Sequence, residues 1–177
     1  MAADATGAEL LRDKPRLNDA LLASCASLPA DSFGSAYHAF MTQRGFSADA
    51  RPGVRFVACE GRAYAATRAR EAHDLWHVLF GCPTDVAGEL ALKAVEAVAL
   101  GLPSAGVAAL VAPLRLSPRR RAHFLRHSLP WALRAGASAG DLMCIRYEDA
   151  LHEPLSEVRA RWRILPFPAD SANEDAK

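Results

Sequence analysis

The chain has 177 residues, 51% of them apolar and 23% charged, with a formal net charge of +1. That length and composition fit one soluble globular domain able to bury a sizeable core. Near-neutral charge excludes a global pull toward nucleic acid or anionic lipid, so electrostatic partners must be sought in local clusters.

Residues 1–9 and 167–177 read as loose tails on one helical domain, residues 10–166. Met1 to Leu11 carries acids and lacks a signal peptide's apolar core and a transit peptide's Arg-rich stretch, so no targeting is expected. Asn18 caps a first predicted helix with Leu21, Leu22 and Cys25, which stops before Pro29. Asp31 or Ser32 caps a second, with Phe33, Tyr37, Phe40 and Met41 at helical spacing and Gly45 closing it. Residues 53–58 (GVRFVA) are the one candidate for a short extended piece. A third helix is predicted from about Arg62 to Phe80, with Ala72, Leu75, Trp76 and Leu79 as its apolar stripe, broken by Gly81 and Pro83. A fourth runs from Thr84 or Asp85 to Leu100, burying Val86, Leu90, Ala94 and Val98, and Gly101 with Pro103 stops it.

After an apolar link, Ser117-Pro118 opens a fifth helix in the order of cap and first-position proline. Pro130 should kink or divide it, and Gly136 end it. Two more helices are predicted around Leu142 to Ala150 and from Pro154 to Trp162. The fold class is therefore all-α, a compact single-domain bundle. Leu90 to Leu116 holds Lys93, Glu96, Gly101, Pro103, Gly106 and Pro113, too broken and polar to span a bilayer. Cys25, Cys59, Cys82 and Cys144 form no close pair, which favours a reducing compartment and buried thiols.

Chemistry concentrates in residues 68–89. His73 and His77 are four apart, so a helix projects both rings from one face. Asp74, about 100° around the axis, borders that face and could ligate a metal or orient a histidine. Glu89 follows His77 after eleven residues. On one unbroken helix it would sit roughly 18 Å away, but a reversal at Gly81–Pro83 returns it to the level of the histidines. Gly88 would then allow two backbones to approach closely. Plainer roles compete: Glu89 could pair with Lys93, and Glu96 is a rival ligand.

The segment HDLWHVLFGCPTDVAGELALKAVE (73–96), with DSFGSAYHAFM (31–41), PWALRAG (130–136), Tyr147-Glu148 and Glu157-Val158-Arg159, resembles the ubiquinone (coenzyme Q) biosynthesis family that is fourth in the COQ series. That family is marked by His-Asp-x-x-His, eleven residues, then Glu. The resemblance covers about Leu10 to Pro166. It implies an all-helical fold with a hydrophobic channel for an isoprenoid tail, and Zn²⁺ held by His73, Asp74, His77 and Glu89. It also implies action on a polyprenylated hydroxybenzoate, whose ring carboxylate is replaced by hydroxyl, beside other ubiquinone-biosynthesis proteins. Cys82, in place of an apolar residue, is a small departure from the family pattern.

Two imidazoles with one or two carboxylates suit Zn²⁺, Fe²⁺ or another divalent metal. An open coordination position would stabilise the charge left by a departing carboxylate. Arg70 could grip that carboxylate, and Phe40, Met41, Trp76 and Phe80 could line the tail channel. The alternative to this decarboxylase (lyase) is a non-catalytic prenyl-lipid-binding scaffold for the biosynthetic complex. A metal hydrolase is weaker, since no glutamate lies between His73 and His77. Arg115, Arg119, Arg120, Arg121, His123, Arg126 and His127 suit peripheral contact with anionic lipid. They lack the interleaved aromatics of a nucleic-acid site. A homodimer is left open. The expected location is bacterial, cytoplasmic and peripheral to the inner membrane.

Overall fold

In the computed structural model, which describes residues 1–51 and 53–168, the regular elements are helices. Among the described residues the extended pairing is limited to an isolated bridge between Ser32 and Pro154. The predicted extended piece at 53–58 forms no strand, and its described residues lie mostly exposed.

The helices are α1 (Ala5–Asp13), α2 (Asp19–Ser24), α3 (Phe33–Arg44), α4 (Glu60–Phe80), α5 (Val86–Leu100), α6 (Pro103–Val111), α7 (Pro118–His123), α8 (Leu129–Ser138), α9 (Tyr147–Ala150) and α10 (Leu155–Arg161). Local chemistry sets several of their ends. Asn18, Ser32, Asp85 and Ser117 each accept a backbone N–H of the first turn, and Gly45, Gly81 and Gly101 take the left-handed φ that stops α3, α4 and α5. α1 corrects the expectation of a loose tail over residues 1–9. Asp4 accepts from Gly7 N at 2.8 Å, and Leu10 is fully buried. The expected tail at 167–177 lies outside the described residues beyond 168. Phe167 is packed, its N–H donating to Phe80 O at 2.6 Å.

The chain divides into two compact units. The first joins Met1–Val78 to Met143–Val158. Its pivot is Arg68 on α4, fully buried, which donates to both Glu148 oxygens (2.9 and 3.0 Å) and to Ile145 O (3.0 Å). Buried Glu71 accepts from Arg16 and from Leu17 N, tying the α1–α2 link to α4. The start of α3 is sewn to the returning segment by Phe33 N to Glu153 O and Gly34 N to Leu151 O, both 2.8 Å. A Cβ at Gly34 would meet Leu151 O at 2.9 Å, so only glycine allows that approach.

Among the described residues, the second unit comprises residues 79–142 and 159–168. Here α5 packs against α6 and α8. Gly136 lies within α8 rather than at its end, and a Cβ there would meet Val98 Cβ at 2.8 Å and Val95 O at 2.9 Å. Pro130 divides the predicted fifth helix as expected, through a π-type widening at Phe124–Ser128. Proline has no N–H and its ring crowds the carbonyl four residues back, and a wider turn relieves both. The predicted apolar link contains α6, opened by Pro103 at its first turn. Trp131 rests edge-on against Phe80 and Phe167 and donates to Pro166 O at 2.9 Å.

Candidate metal centre

On α4, His73 and His77 project one turn apart and are buried at 8% and 2% exposure. Their Nε2 atoms stand 3.2 Å apart, with ring planes 89° to each other. Two nitrogens bound at about 2.05 Å to one tetrahedral zinc stand about 3.3 Å apart, so the pair already has the separation that a shared ion needs. One ring donating to the other also satisfies this geometry. Phe40 of α3 stacks on His77 (centroids 5.6 Å, 22°) and Trp76 meets His73 edge-on at 6.5 Å, which holds both ring planes.

Asp74 is buried, and both its oxygens accept from Arg51 Nη2, at 2.7 and 2.8 Å. Arg51 carries no periodic relation to α4 and went unmarked in the sequence. Close by in charge is Tyr37, whose buried hydroxyl has no hydrogen-bond partner among the described residues. Burial first, and the Asp74 charge second, push its pKa up, so it stays a neutral phenol.

Glu89 lies half-buried in the first turn of α5, where Asp85 accepts from Gly88 N at 2.7 Å. A Cβ at Gly88 would meet Pro83 O at 2.2 Å. The glycine therefore makes room for the turn that precedes α5. Cys82, in that turn, is buried, and burial foremost, then the charges of Glu89 and Asp85, push its thiol pKa up. Lys93 donates to both oxygens of buried Glu96 (2.9 and 2.8 Å), which engages the rival carboxylate. No disulfide joins Cys25, Cys59, Cys82 and Cys144, all of them described residues.

The remaining candidates fall in different surroundings. Met41, Trp76 and Phe80 are fully buried, with Trp76 Nε1 donating to Tyr147 OH at 2.6 Å. Phe40 is partly exposed. Arg70 is exposed and lines an open groove of about 600 Å³ with Gly53, Val54, Arg55, Phe56 and Ala66. The sequence pattern thus found the histidine pair, and the structure adds Arg51 and Tyr37 around Asp74.

The family model for the coenzyme Q (ubiquinone) biosynthesis protein Coq4 matches residues 1–168. The chain is 41% identical to the mitochondrial ubiquinone biosynthesis protein COQ4 homolog of Aedes aegypti, covering 93% of this chain and 61% of that protein. It is 40% identical to the Drosophila ananassae homolog, covering 93% and 62% respectively. The chain thus spans about three fifths of the length of these curated relatives. A crystal structure of a candidate ubiquinone biosynthesis protein from Nostoc punctiforme superposes with a TM-score of 0.74 at 20% identity, covering 91% of this chain and 76% of that one, a likeness of fold. The relatives carry mitochondrial names, which overturns the expected bacterial cytoplasmic location. That expectation rested on where this chain begins, and relatives of greater length show that its first residue says nothing of a leader. With a family match over nearly its whole length, the chain belongs to the Coq4 family of coenzyme Q (ubiquinone) biosynthesis proteins.

Proposed function

We propose that this protein performs a metal-dependent step of ubiquinone biosynthesis, with His73 and His77 as ligands of one divalent ion and Glu89, eleven intervening residues after His77 in the sequence motif, as the proposed third. The observation that carries this reading is the 3.2 Å separation of two buried imidazole nitrogens on α4. Zn²⁺ is the first assignment and Fe²⁺ the alternative. The donor set fits either: two borderline nitrogens and a hard carboxylate. In this reading Asp74 acts through its ion pair with Arg51, which holds the α4 surface next to His73, and Phe40 fixes the plane of His77.

The proposed substrate is a polyprenylated hydroxybenzoate, and the reaction replaces its ring carboxylate, lost as CO₂, with hydroxyl. Hydroxylation needs dioxygen or an equivalent two-electron oxidant, which is the chemistry the iron alternative accommodates. The bound metal supplies Lewis acidity toward the charge left on the ring. Arg70, exposed one turn before His73, is proposed to receive the carboxylate bidentately. Phe40, Met41, Trp76 and Phe80 are the residues proposed to meet the tail. Each buried methylene of the tail adds about 0.8 kcal/mol of binding, so affinity rests on the tail and reactivity on the metal. Other ubiquinone-biosynthesis proteins are the proposed partners.

Elemental analysis of the purified protein tests the site. About one equivalent of Zn or Fe is expected, lost in His73→Ala and His77→Ala. Full metal content in both variants would remove the site. Glu89→Gln, folded, should abolish turnover of the carboxylated intermediate while partner proteins still bind. Unchanged turnover would leave a scaffold role instead.

A further inference from the structure

Two concave surfaces meet beside α4. The first is a cleft lined by Arg16, Arg51, Thr67, Arg70 and Glu71. The second is the open groove next to it, which Phe56 and Ala66 line. Gly53, Val54 and Arg70 border both, so cleft and groove are continuous. Three guanidiniums therefore converge at the edge of an apolar shelf.

Buried carboxylates hold two of these guanidiniums in place. Glu71 accepts from Arg16, and both Asp74 oxygens accept from Arg51 Nη2. Arg51 is fixed through that one nitrogen, and its Nε and Nη1 edge makes no hydrogen bond to a described residue. The side chain is 38% exposed. A guanidinium held this way offers donors to a carboxylate with little freedom left to lose on binding. Asp49, the other carboxylate of the cleft, accepts from Asp19 N at 3.2 Å. In the groove, Phe56 is fully exposed and has a φ of 64°, which residues with a side chain rarely adopt. Backbone outliers of this kind gather at ligand clamps, and an exposed ring offers a face to another aromatic group.

We infer that cleft and groove form one site for an aromatic carboxylate, its anion held between Arg51 and Arg70 and its ring against Phe56 and Val54. Arg51 is then the residue that selects a negative charge, and Asp74 positions it. A free inorganic oxyanion would meet the same guanidiniums and leave the apolar shelf unused, which favours the aromatic occupant. The inference rests on the reading of a carboxylated aromatic substrate and deepens it by adding Arg51 and Phe56.

The test is titration of the full chain, as purified, with 4-hydroxybenzoate and with its uncharged isostere 4-hydroxybenzamide. Binding is followed by the backbone amide NMR signals of Gly53, Val54 and Thr67. The acid is expected to move them and to bind roughly tenfold tighter than the amide. Arg70→Gln, at an exposed position, and Arg51→Gln should each weaken the acid by roughly tenfold and bring it level with the amide. Phe56→Ser should weaken both ligands alike. If Arg51→Gln does not fold because buried Asp74 loses its partner, Arg70→Gln and Phe56→Ser decide. Equal binding of acid and amide by the wild type, or an unchanged preference in Arg70→Gln, overturns the proposal. So does inorganic phosphate moving these signals when the acid does not. Binding that a chelator abolishes would put the carboxylate on the metal and overturn it too. Movement with neither ligand overturns it together with the substrate assignment, whereas a metal-free protein that keeps the preference loses the metal reading alone.

Discussion

Cys82 shows how one side chain couples burial to solution conditions. Its thiol is held above its ordinary value of 9.0 by burial first and then by the charges of Glu89 and Asp85. The folded protein keeps this proton where the unfolded chain has released it. The stability from this thiol is full below pH 9 and falls as pH rises above it, by at most about 1.4 kcal/mol per pH unit. Urea unfolding on either side of pH 9 should show that slope in the wild type and a shallower one in Cys82→Ala. Sequence spacing was well suited to finding His73 and His77, because helix geometry alone brings residues four apart together. It could not find Arg51 beside Asp74, 23 residues upstream, since that ion pair follows from how the chain before α4 packs on it. For the same reason the orphaned Tyr37 hydroxyl read only as an apolar position of α3.

At the level of elements, capping chemistry was the dependable signal. Asn18, Ser32, Asp85 and Ser117 open helices where their side chains can accept first-turn N–H groups, and Gly45 and Gly101 close them. Helices without a wide apolar stripe escaped. α6 is rich in alanine, valine and glycine and reads as a link, although Pro103 stands at its first turn. Gly136 misled in the opposite sense, because a helix contact needs a missing side chain as much as a helix end does. Gly136→Ala should therefore cost about 1–3 kcal/mol through overpacking against Val98 and the Val95 carbonyl. Thermal denaturation would measure it, and a neutral result would show that α5 and α8 can part without penalty.

Across the whole molecule, the all-helical class was legible from period and breakers, whereas the partition of the chain was not. Long-range pairing decides it, and Arg68 is the clearest case. Its guanidinium reaches Glu148, 80 residues on, through two partly buried hydrogen bonds. Arg68→Ala leaves Glu148 and the Ile145 carbonyl without that donor and should destabilise the fold by about 3–5 kcal/mol. Chemical denaturation would show a smaller loss if water replaced the guanidinium. The first unit closes only when residues 143–158 come back to residues 1–78. During synthesis, the amino-terminal part must wait on the ribosome until residues 143–158 have emerged. A nascent chain halted before residue 143 would hold its α4 arginine unmatched and its α3 start unsewn, a natural client for a chaperone.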